Sequence, residues 1–146
     1  MTWFGQGIFA LPCGSSGGAS TYGKTLEADV VALEVTFAPL GDLALDVMAG
    51  NGQALTIWLT GSVSVDPGGA NVEFRVLIDG SAAGDVVALN VADSGAFAVS
   101  LTAHEDVATG PHTIVAEWRA GGGTASGFVG HLHLEVLVAA RGVSPP

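Results

Sequence analysis

The sequence predicts an all-β fold, a jelly-roll-like antiparallel β-sandwich of about eight strands. Apolar and polar residues alternate along many short stretches, which is the pattern of a half-buried strand. Turn signals rich in Gly, Pro, Asn and Asp separate these stretches at intervals of about 8 to 15 residues, a spacing typical of sandwiches and barrels. No segment of about ten residues has the apolar period of a helix, so alternating βα units are excluded.

The alternating stretches and the turns follow one another along the chain. The predicted strands are residues 31–37, 43–47, 55–65, 72–78, 86–91, 97–101, 113–118 and 132–138. Predicted turns or loops are residues 39–41, 49–52, 66–69, 79–80, 104–111 and 121–123, and Gly61 is a candidate bulge. The residues expected to be buried between the two sheets are Phe74, Val76, Ile78, Phe97, Val99, Ile114, Trp118, Leu134 and Val136.

The chain divides into an N-terminal arm over residues 1–24, a sandwich domain over residues 25–140 and a tail over residues 141–146. The arm is rich in Gly and Ser, which disfavours a helix and predicts an extended segment or loop. Its apolar residues are too numerous to stay in water, so they pack either on their own domain or on a neighbouring subunit. These candidate interface residues are Trp3, Phe4, Ile8, Phe9 and Leu11.

The composition is unusually poor in charge. Charged residues make up 12% of the chain and hydrophobic residues 49%, whereas a monomer surface usually carries roughly 25–35% charged residues. Several nominally outward positions are apolar, and the candidates for a subunit interface are Trp58, Leu77, Val115 and Leu137. We therefore expect a homo-oligomer.

The net charge of −10 comes from 14 acidic residues against four Lys and Arg. Four scattered cations cannot displace the counterions of a nucleic acid or hold an anionic membrane surface. No apolar run approaches the ~20 residues of a membrane helix. We expect no nucleic-acid partner and no membrane partner.

Cys13 is the single cysteine, which excludes an intramolecular disulfide and a thiolate zinc cluster. The first residues lack the basic region of a secretory signal. Both features predict a chain made in a reducing cytoplasm, including one that is later packaged into a particle.

The best metal candidate is the set His131, His133 and Glu135, since residues i, i+2 and i+4 of a strand share one face. The set is similar to the His-x-His strand of cupins, but Glu135 follows too closely and no later strand supplies another His. An ordinary polar strand face is the favoured interpretation. We expect no cofactor and no enzymatic activity, because no nucleophile lies in a sharp turn such as Gly-x-Ser-x-Gly.

Two other side chains stand out near the strands. His112 is expected to fix the loop before its strand by hydrogen bonding. Trp58 falls opposite Ile57 and Leu59 and is expected at a surface or interface, where a sugar ring could stack on its indole. Trp118 shares the register of Ile114 and is expected in the core.

Two stretches carry a resemblance to a known group. They are Val72-Glu-Phe-Arg-Val-Leu-Ile-Asp-Gly80 and Gly110-Pro-His-Thr-Ile-Val-Ala-Glu-Trp-Arg119, the latter followed by Gly123-Thr-Ala125. About half of the chain, residues 70–140, resembles a jelly-roll module of bacteriophage virion proteins, found in head-decoration and fibre or tail-tip components. Pro111 and Glu117 depart from the usual pattern, which has a small polar residue and Gln at those positions. The resemblance implies a homotrimer.

Taken together, these features favour a non-enzymatic virion structural protein, a capsid decoration (cement) protein that binds the viral shell as a homotrimer. Its expected partners are other copies of itself and the major capsid protein or another virion protein. The expected location is the virion, assembled in the host cytoplasm. The alternative is a receptor- or carbohydrate-binding head domain of a phage fibre, and a small cupin-like metalloprotein ranks third.

Overall fold

The computed structural model describes residues 18–26, 36–65, 70–91, 95–122 and 128–141. Within these ranges eight strands form two four-stranded antiparallel sheets, so the predicted β-sandwich is confirmed. The strands are β1 (Ser20–Thr25), β2 (Ala38–Ala49), β3 (Gln53–Val65), β4 (Ala70–Ile78), β5 (Ser81–Val91), β6 (Gly95–Asp106), β7 (Gly110–Gly122) and β8 (Phe128–Ala140).

The strand order gives the sandwich a jelly-roll topology. Sheet A has the order β1-β8-β3-β6 and sheet B the order β2-β7-β4-β5. Consecutive strands therefore alternate between the sheets, except for the hairpin β4–β5 in sheet B. The turns after β2, β4 and β6 all lie at one end of the sandwich, where β8 also ends. Among the described residues, no helix is long and apolar enough to cross a membrane.

The core lies between the two sheets and contains nearly all of the residues predicted to be buried. Phe74 is fully buried and Trp118 is 2% exposed, and their ring centroids are 6.5 Å apart. Phe97 is the exception, because it is only partly buried against the core. It lies on β6, an edge strand of sheet A, so neighbouring strands cover it on one side only.

Two predicted turns are instead parts of strands. Residues 39–41 lie within β2, where Pro39 is tolerated because β2 is an edge strand and the ladder is irregular between Pro39 and Ala44. The predicted loop over residues 104–111 begins later, since β6 continues to Asp106 and His104 pairs with Thr56 of β3. The predicted strand over residues 31–37 lies mostly outside the described residues.

Gly61 lies in β3 without a bulge. Its register with both β6 and β8 is continuous. A Cβ atom at this position would clash with the backbone oxygen of His131, and the backbone φ is +144°. The glycine is therefore required by the close approach of β8 rather than by an extra residue in the strand.

The two sheets also approach each other along both open sides of the sandwich. On one side, the Tyr22 hydroxyl accepts a hydrogen bond from the amide of Met48 at 3.4 Å. On the other side, a Cβ atom on Gly84 of β5 would lie 3.0 Å from the Cβ atom of Ala103 on β6. The edge strands of sheet B have irregular ladders, which protects them from pairing with other chains. The outer faces of the sheets are therefore the broad surfaces left for contact.

Candidate functional site

The outer surface of sheet A is centred on Trp58, and we call it the Trp58 face. The strand registers arrange its side chains in rows that cross the sheet. The rows are Thr21–Leu137–Thr56–His104, Gly23–Glu135–Trp58–Thr102, Thr25–His133–Thr60–Ser100 and His131–Ser62–Ala98. These residues are exposed or half-buried and alternate with the buried residues of the same strands.

The Trp58 face is rich in hydroxyl groups and poor in charge. Among the residues of its rows, Glu135 is the one with a formal charge when the histidines are neutral. Trp58 itself is half-buried, with Glu135 on one neighbouring strand and Thr102 on the other. Trp58 therefore lies on the outer surface of sheet A, at the centre of the face, and its place in an interface stays a prediction.

Two histidines of this face bond to threonines on neighbouring strands. The Nδ1 atom of His104 lies 2.9 Å from the hydroxyl of Thr56, and the Nδ1 atom of His133 lies 2.9 Å from that of Thr25. The imidazole of His133 covers Gly23, where a Cβ atom would lie 3.2 Å from the ring. These hydrogen bonds orient both rings along the sheet surface.

The predicted metal candidates His131, His133 and Glu135 do share this face, as their spacing on one strand requires. Within the described ranges, however, no three His, Cys, Asp or Glu side chains are grouped closely enough to hold a metal ion. Residues two apart on a strand are roughly 7 Å apart, and the ring of His133 turns toward Thr25 on β1. Cys13 lies outside the described residues.

The outer face of sheet B carries the other predicted interface residues. Leu77 and Val115 are direct partners across β4 and β7, and both are half-buried. The same row continues to Ala44 on β2 and to Ala82 on β5. An apolar row thus crosses all four strands, and Met48, on the outer side of β2, is 58% exposed.

Next to this row lies a charged group that the sequence analysis missed, which we call the Arg–Glu square. It consists of Glu73, Arg75, Glu117 and Arg119. Arg75 Nε donates to Glu117 Oε1 at 2.8 Å, and Arg119 Nε donates to Glu73 Oε2 at 3.0 Å. Each Arg faces the Glu of the neighbouring strand.

The ring of Phe37 completes the Arg–Glu square on its outer side. The guanidinium carbons of Arg75 and Arg119 lie 4.0 and 4.3 Å from the ring centroid. Such cation–π contacts are worth about 0.5–2 kcal/mol each, depending on exposure. The sequence did carry a signal, because Glu-x-Arg occurs in both strands and antiparallel pairing places each Arg opposite a Glu.

All four Lys and Arg residues of the chain are described, and each forms an ion pair. Besides the two pairs of the Arg–Glu square, Lys24 pairs with Asp42 and Arg141 with Asp106. A phosphate or sulfate ligand would therefore have to compete with a carboxylate for every cation. The Lys and Arg side chains of this chain are thus engaged in ion pairs within the chain.

A polar network joins three segments at the end of the sandwich where β2, β4 and β6 turn. His112 bonds to Asp79 in the β4–β5 turn through Nδ1 and to the backbone oxygen of Ala108 through Nε2. The carbonyl of Ala108 and then the carboxylate of Asp79 raise the pKa of His112, although burial opposes this. Hydrogen bonds from the amide of Thr113 and then from His112 lower the pKa of Asp79. The predicted bond from His112 to its loop is confirmed.

The remaining interface candidates, Trp3, Phe4, Ile8, Phe9 and Leu11, lie outside the described residues. Ser20–Thr25, at the end of the predicted arm, pairs with β8. Leu137 is half-buried at the margin of the Trp58 face, beside Thr56 of β3.

No protein-family model matches the sequence, and no curated protein matches it. Similar solved structures include a pilus protein of Bacillus endospore appendages, with 16% identity over 91% of this chain and 100% of that chain and a TM-score of 0.45. Another is the sugar-binding EclA C-terminal domain, with 13% identity, 88% of each chain covered and a TM-score of 0.49. A third is infectious bursal disease virus, Gx strain, with 14% identity over 92% of this chain and 36% of that chain and a TM-score of 0.38.

The class of protein that follows from the fold is a jelly-roll β-sandwich domain. Its strands form a jelly roll, and its broad outer faces carry few charges beyond those already paired within the chain.

Proposed function

We propose that this protein is a non-enzymatic assembly subunit, a virion decoration protein that binds a viral shell as a homotrimer. The observation that carries the proposal is the Trp58 face, an almost uncharged surface with a half-buried tryptophan at its centre. Interface centres are depleted in charge and enriched in aromatic residues, whereas free surfaces are not. The resemblance to phage virion modules supports the choice of a shell as the partner.

The Trp58 face alone is smaller than the area that a stable interface buries on one partner. Four strands about 4.8 Å apart and four rows about 7 Å apart span roughly 20 Å by 25 Å, or about 500 Å². A stable interface buries about 800 Å² per partner. A trimer whose three Trp58 faces surround the axis adds the flanking edges of β1 and β6 to each contact, and its closed symmetry is common among homo-oligomers.

The outer face of sheet B points away from such an axis and is left for the shell. Its apolar row from Ala44 to Ala82 would meet the major capsid protein or another virion protein. The apolar arm residues from Trp3 to Leu11 would add contacts to a neighbouring chain or to the shell. In this proposal the protein is assembled in the host cytoplasm and resides in the virion.

The test is to place a charge at the centre of each face and to measure mass and shell binding separately. Trp58→Lys is expected to convert the trimer to monomers in sedimentation, because it removes the indole and places an ammonium group, which is costly to desolvate, in the contact. Leu77→Lys, the matched change on sheet B, is expected to leave the mass of the trimer unchanged and to weaken co-sedimentation with viral shells.

Circular dichroism of both variants controls for the fold, since each substituted side chain points outward. A wild-type protein that sediments as a monomer at micromolar concentration would contradict the proposal. So would a Trp58→Lys variant that keeps the wild-type mass.

A second candidate function is binding of a glycan, as in a receptor-binding head of a fibre. The observation that favours it is the position of Trp58 between the carboxylate-bearing Glu135 and Thr102. An indole flanked by hydrogen-bonding groups can stack on a sugar ring. A monomeric wild type whose tryptophan fluorescence is saturably changed by oligosaccharides, with the change lost in Trp58→Lys, would favour this function over the first.

A further inference from the structure

The imidazole of His112 has a hydrogen-bond geometry that fixes its protonation state. Its Nδ1 atom lies 2.6 Å from Asp79 Oδ2, and its Nε2 atom lies 2.7 Å from the backbone oxygen of Ala108. A carboxylate and a carbonyl oxygen can only accept hydrogen bonds, so both ring nitrogens must donate. Only the protonated ring carries two N–H groups. The arrangement is therefore that of an imidazolium.

Asp79 is held in place by more than His112. Its Oδ1 atom accepts from the amide of Thr113 at 2.9 Å, and its own amide donates to the Thr113 oxygen at 2.9 Å. The residue also adopts a left-handed conformation with φ of 51°, which Asp tolerates better than most residues. The β4–β5 turn therefore stays joined to β7 even without the imidazole. The hydrogen bond from His112 Nε2 to the oxygen of Ala108 is a separate contact, which holds the β6–β7 loop.

The loop between β6 and β7, residues 107–109, is fastened at two successive carbonyl groups. Arg141, which follows β8 in sheet A, donates to the oxygen of Val107 at 3.1 Å. His112, in sheet B, donates to the oxygen of Ala108. An arginine remains charged at all ordinary pH values, whereas a histidine titrates near neutrality. The hydrogen bond from Arg141 is therefore independent of pH in the ordinary range, whereas the hydrogen bond from His112 depends on pH.

We propose that His112 is a pH-operated latch on the β6–β7 loop. When the ring is protonated, it fastens the loop to β7 and to the β4–β5 turn. The neutral ring has one N–H group, which stays with the stronger acceptor, the carboxylate of Asp79. The lone pair of Nε2 then faces the carbonyl oxygen of Ala108, and the loop is released while Arg141 keeps its own contact.

The charged groups on the elements around the ring are mainly carboxylates. Asp46 of β2 accepts from the hydroxyl of Thr113 at 2.9 Å, and Glu105 and Asp106 lie at the end of β6. Arg141 is the cation of this end, and it is paired with Asp106. The side chain of His112 is 10% exposed, so water cannot easily replace a lost partner. The neighbouring carboxylates favour the charged ring, whereas the burial of the ring opposes it.

The sign of the pH dependence follows from the two pKa shifts. The pKa of His112 is raised in the folded state, so its contribution to stability is complete below about pH 6.5 and is lost as the pH rises through the folded value. The pKa of Asp79 is lowered, so its contribution is complete above about pH 3.9 and is lost as the pH falls through the folded value. The latch is closed between the folded-state pKa of Asp79 and that of His112. It opens when the pH rises above the folded-state pKa of His112.

The test combines an NMR titration of the His112 ring with hydrogen-exchange protection of the amides of residues 107–109 in the full chain. In the wild type, the ring is expected to titrate above about 6.5, and the protection of the loop is expected to fall across the same pH range. Amide protection in β3 and β8 is expected to stay constant. This measurement needs no substitution, so it does not depend on whether a variant folds.

Three variants separate the latch from a general loss of structure. His112→Gln should leave the loop poorly protected at every pH, and Arg141→Gln should reduce protection while the His112 titration persists. Lys24→Gln, which removes the cation of the Lys24–Asp42 ion pair, is the control and should change neither. The proposal is overturned if His112 titrates below about 6.5, or if the loop is equally protected on both sides of the titration.

Discussion

Phe74 shows how much a single residue contributes at the centre of the sandwich. Its side chain is fully buried and packs against the ring of Trp118. Phe74→Ala removes this contact and leaves a cavity, so we expect the free energy of unfolding to fall by about 3–5 kcal/mol. Chemical denaturation monitored by fluorescence measures it.

The matched control is Val86→Ala on β5, in the same sheet, because Val86 is 45% exposed. That change is expected to alter the free energy of unfolding by no more than about 0.5 kcal/mol. If Phe74→Ala cost less than about 1 kcal/mol, the register of β4 between the sheets would be wrong.

At the scale of one element, β3 depends on Gly61, where β8 passes too closely for a side chain. In Gly61→Ala the new Cβ atom would clash with the His131 backbone oxygen, and the residue would also be forced into a φ of +144°. Strain and displacement together are expected to lower the free energy of unfolding by about 2–5 kcal/mol. Thermal and urea denaturation measure this loss.

Gly52→Ala separates the two causes. Gly52 also has a positive φ, of +73°, but nothing lies within 4 Å of its Cβ position. This control is expected to lose only about 1 kcal/mol from backbone strain. Equal losses in the two variants would show that the approach of β8 to β3 is unimportant.

The elements also show what the sequence could and could not predict. Alternation predicted strands such as β4 and β7 well, since their apolar residues lie on one face and meet in the core. It failed at Pro39–Gly41, because only the pairing of β2 shows that it is an edge strand able to hold Pro and a bulge. It also missed Phe37 as the cover of the Arg–Glu square, because that contact joins three separate segments.

The residues of the candidate site were also predictable only in part. The sequence placed Trp58 at a surface, and it placed His131, His133 and Glu135 on one face of a strand. It could not show that Trp58 lies at the centre of four strands, since the order β1-β8-β3-β6 is a property of the fold. The bond from His112 to its loop was predictable because it is local, whereas its bond to Asp79 joins residues far apart in the sequence.

At the scale of the whole molecule, the apolar arm is expected to contribute to assembly. Deleting residues 2–12 removes Trp3, Phe4, Ile8, Phe9 and Leu11 and leaves all the strands that the structure describes. The truncated protein should keep its circular dichroism spectrum and melting behaviour. In sedimentation, the proposed trimer should dissociate at a higher protein concentration than that of the full chain. The reason is the loss of apolar area buried between subunits, worth roughly 25 cal/mol per Å².

The control replaces residues 2–12 with a Gly–Ser segment of equal length, which preserves chain length but not apolar area. Both variants should dissociate alike. Unchanged association in both, together with a loss of folded-state stability, would show that the arm packs on its own domain.

The topology of sheet A has a consequence for how the chain reaches its native state. The strand β8 lies between β1 and β3, and its pairing joins residues as distant as Ser20 and Val138. During synthesis β6 can pair with one edge of β3 before β8 emerges, whereas β1 and the other edge of β3 stay unpaired in this sheet until β8 leaves the ribosome. Non-local pairing of this kind folds slowly and leaves unpaired strands open to aggregation. The rate of folding should therefore be limited by the arrival and docking of β8 rather than by the β4–β5 hairpin.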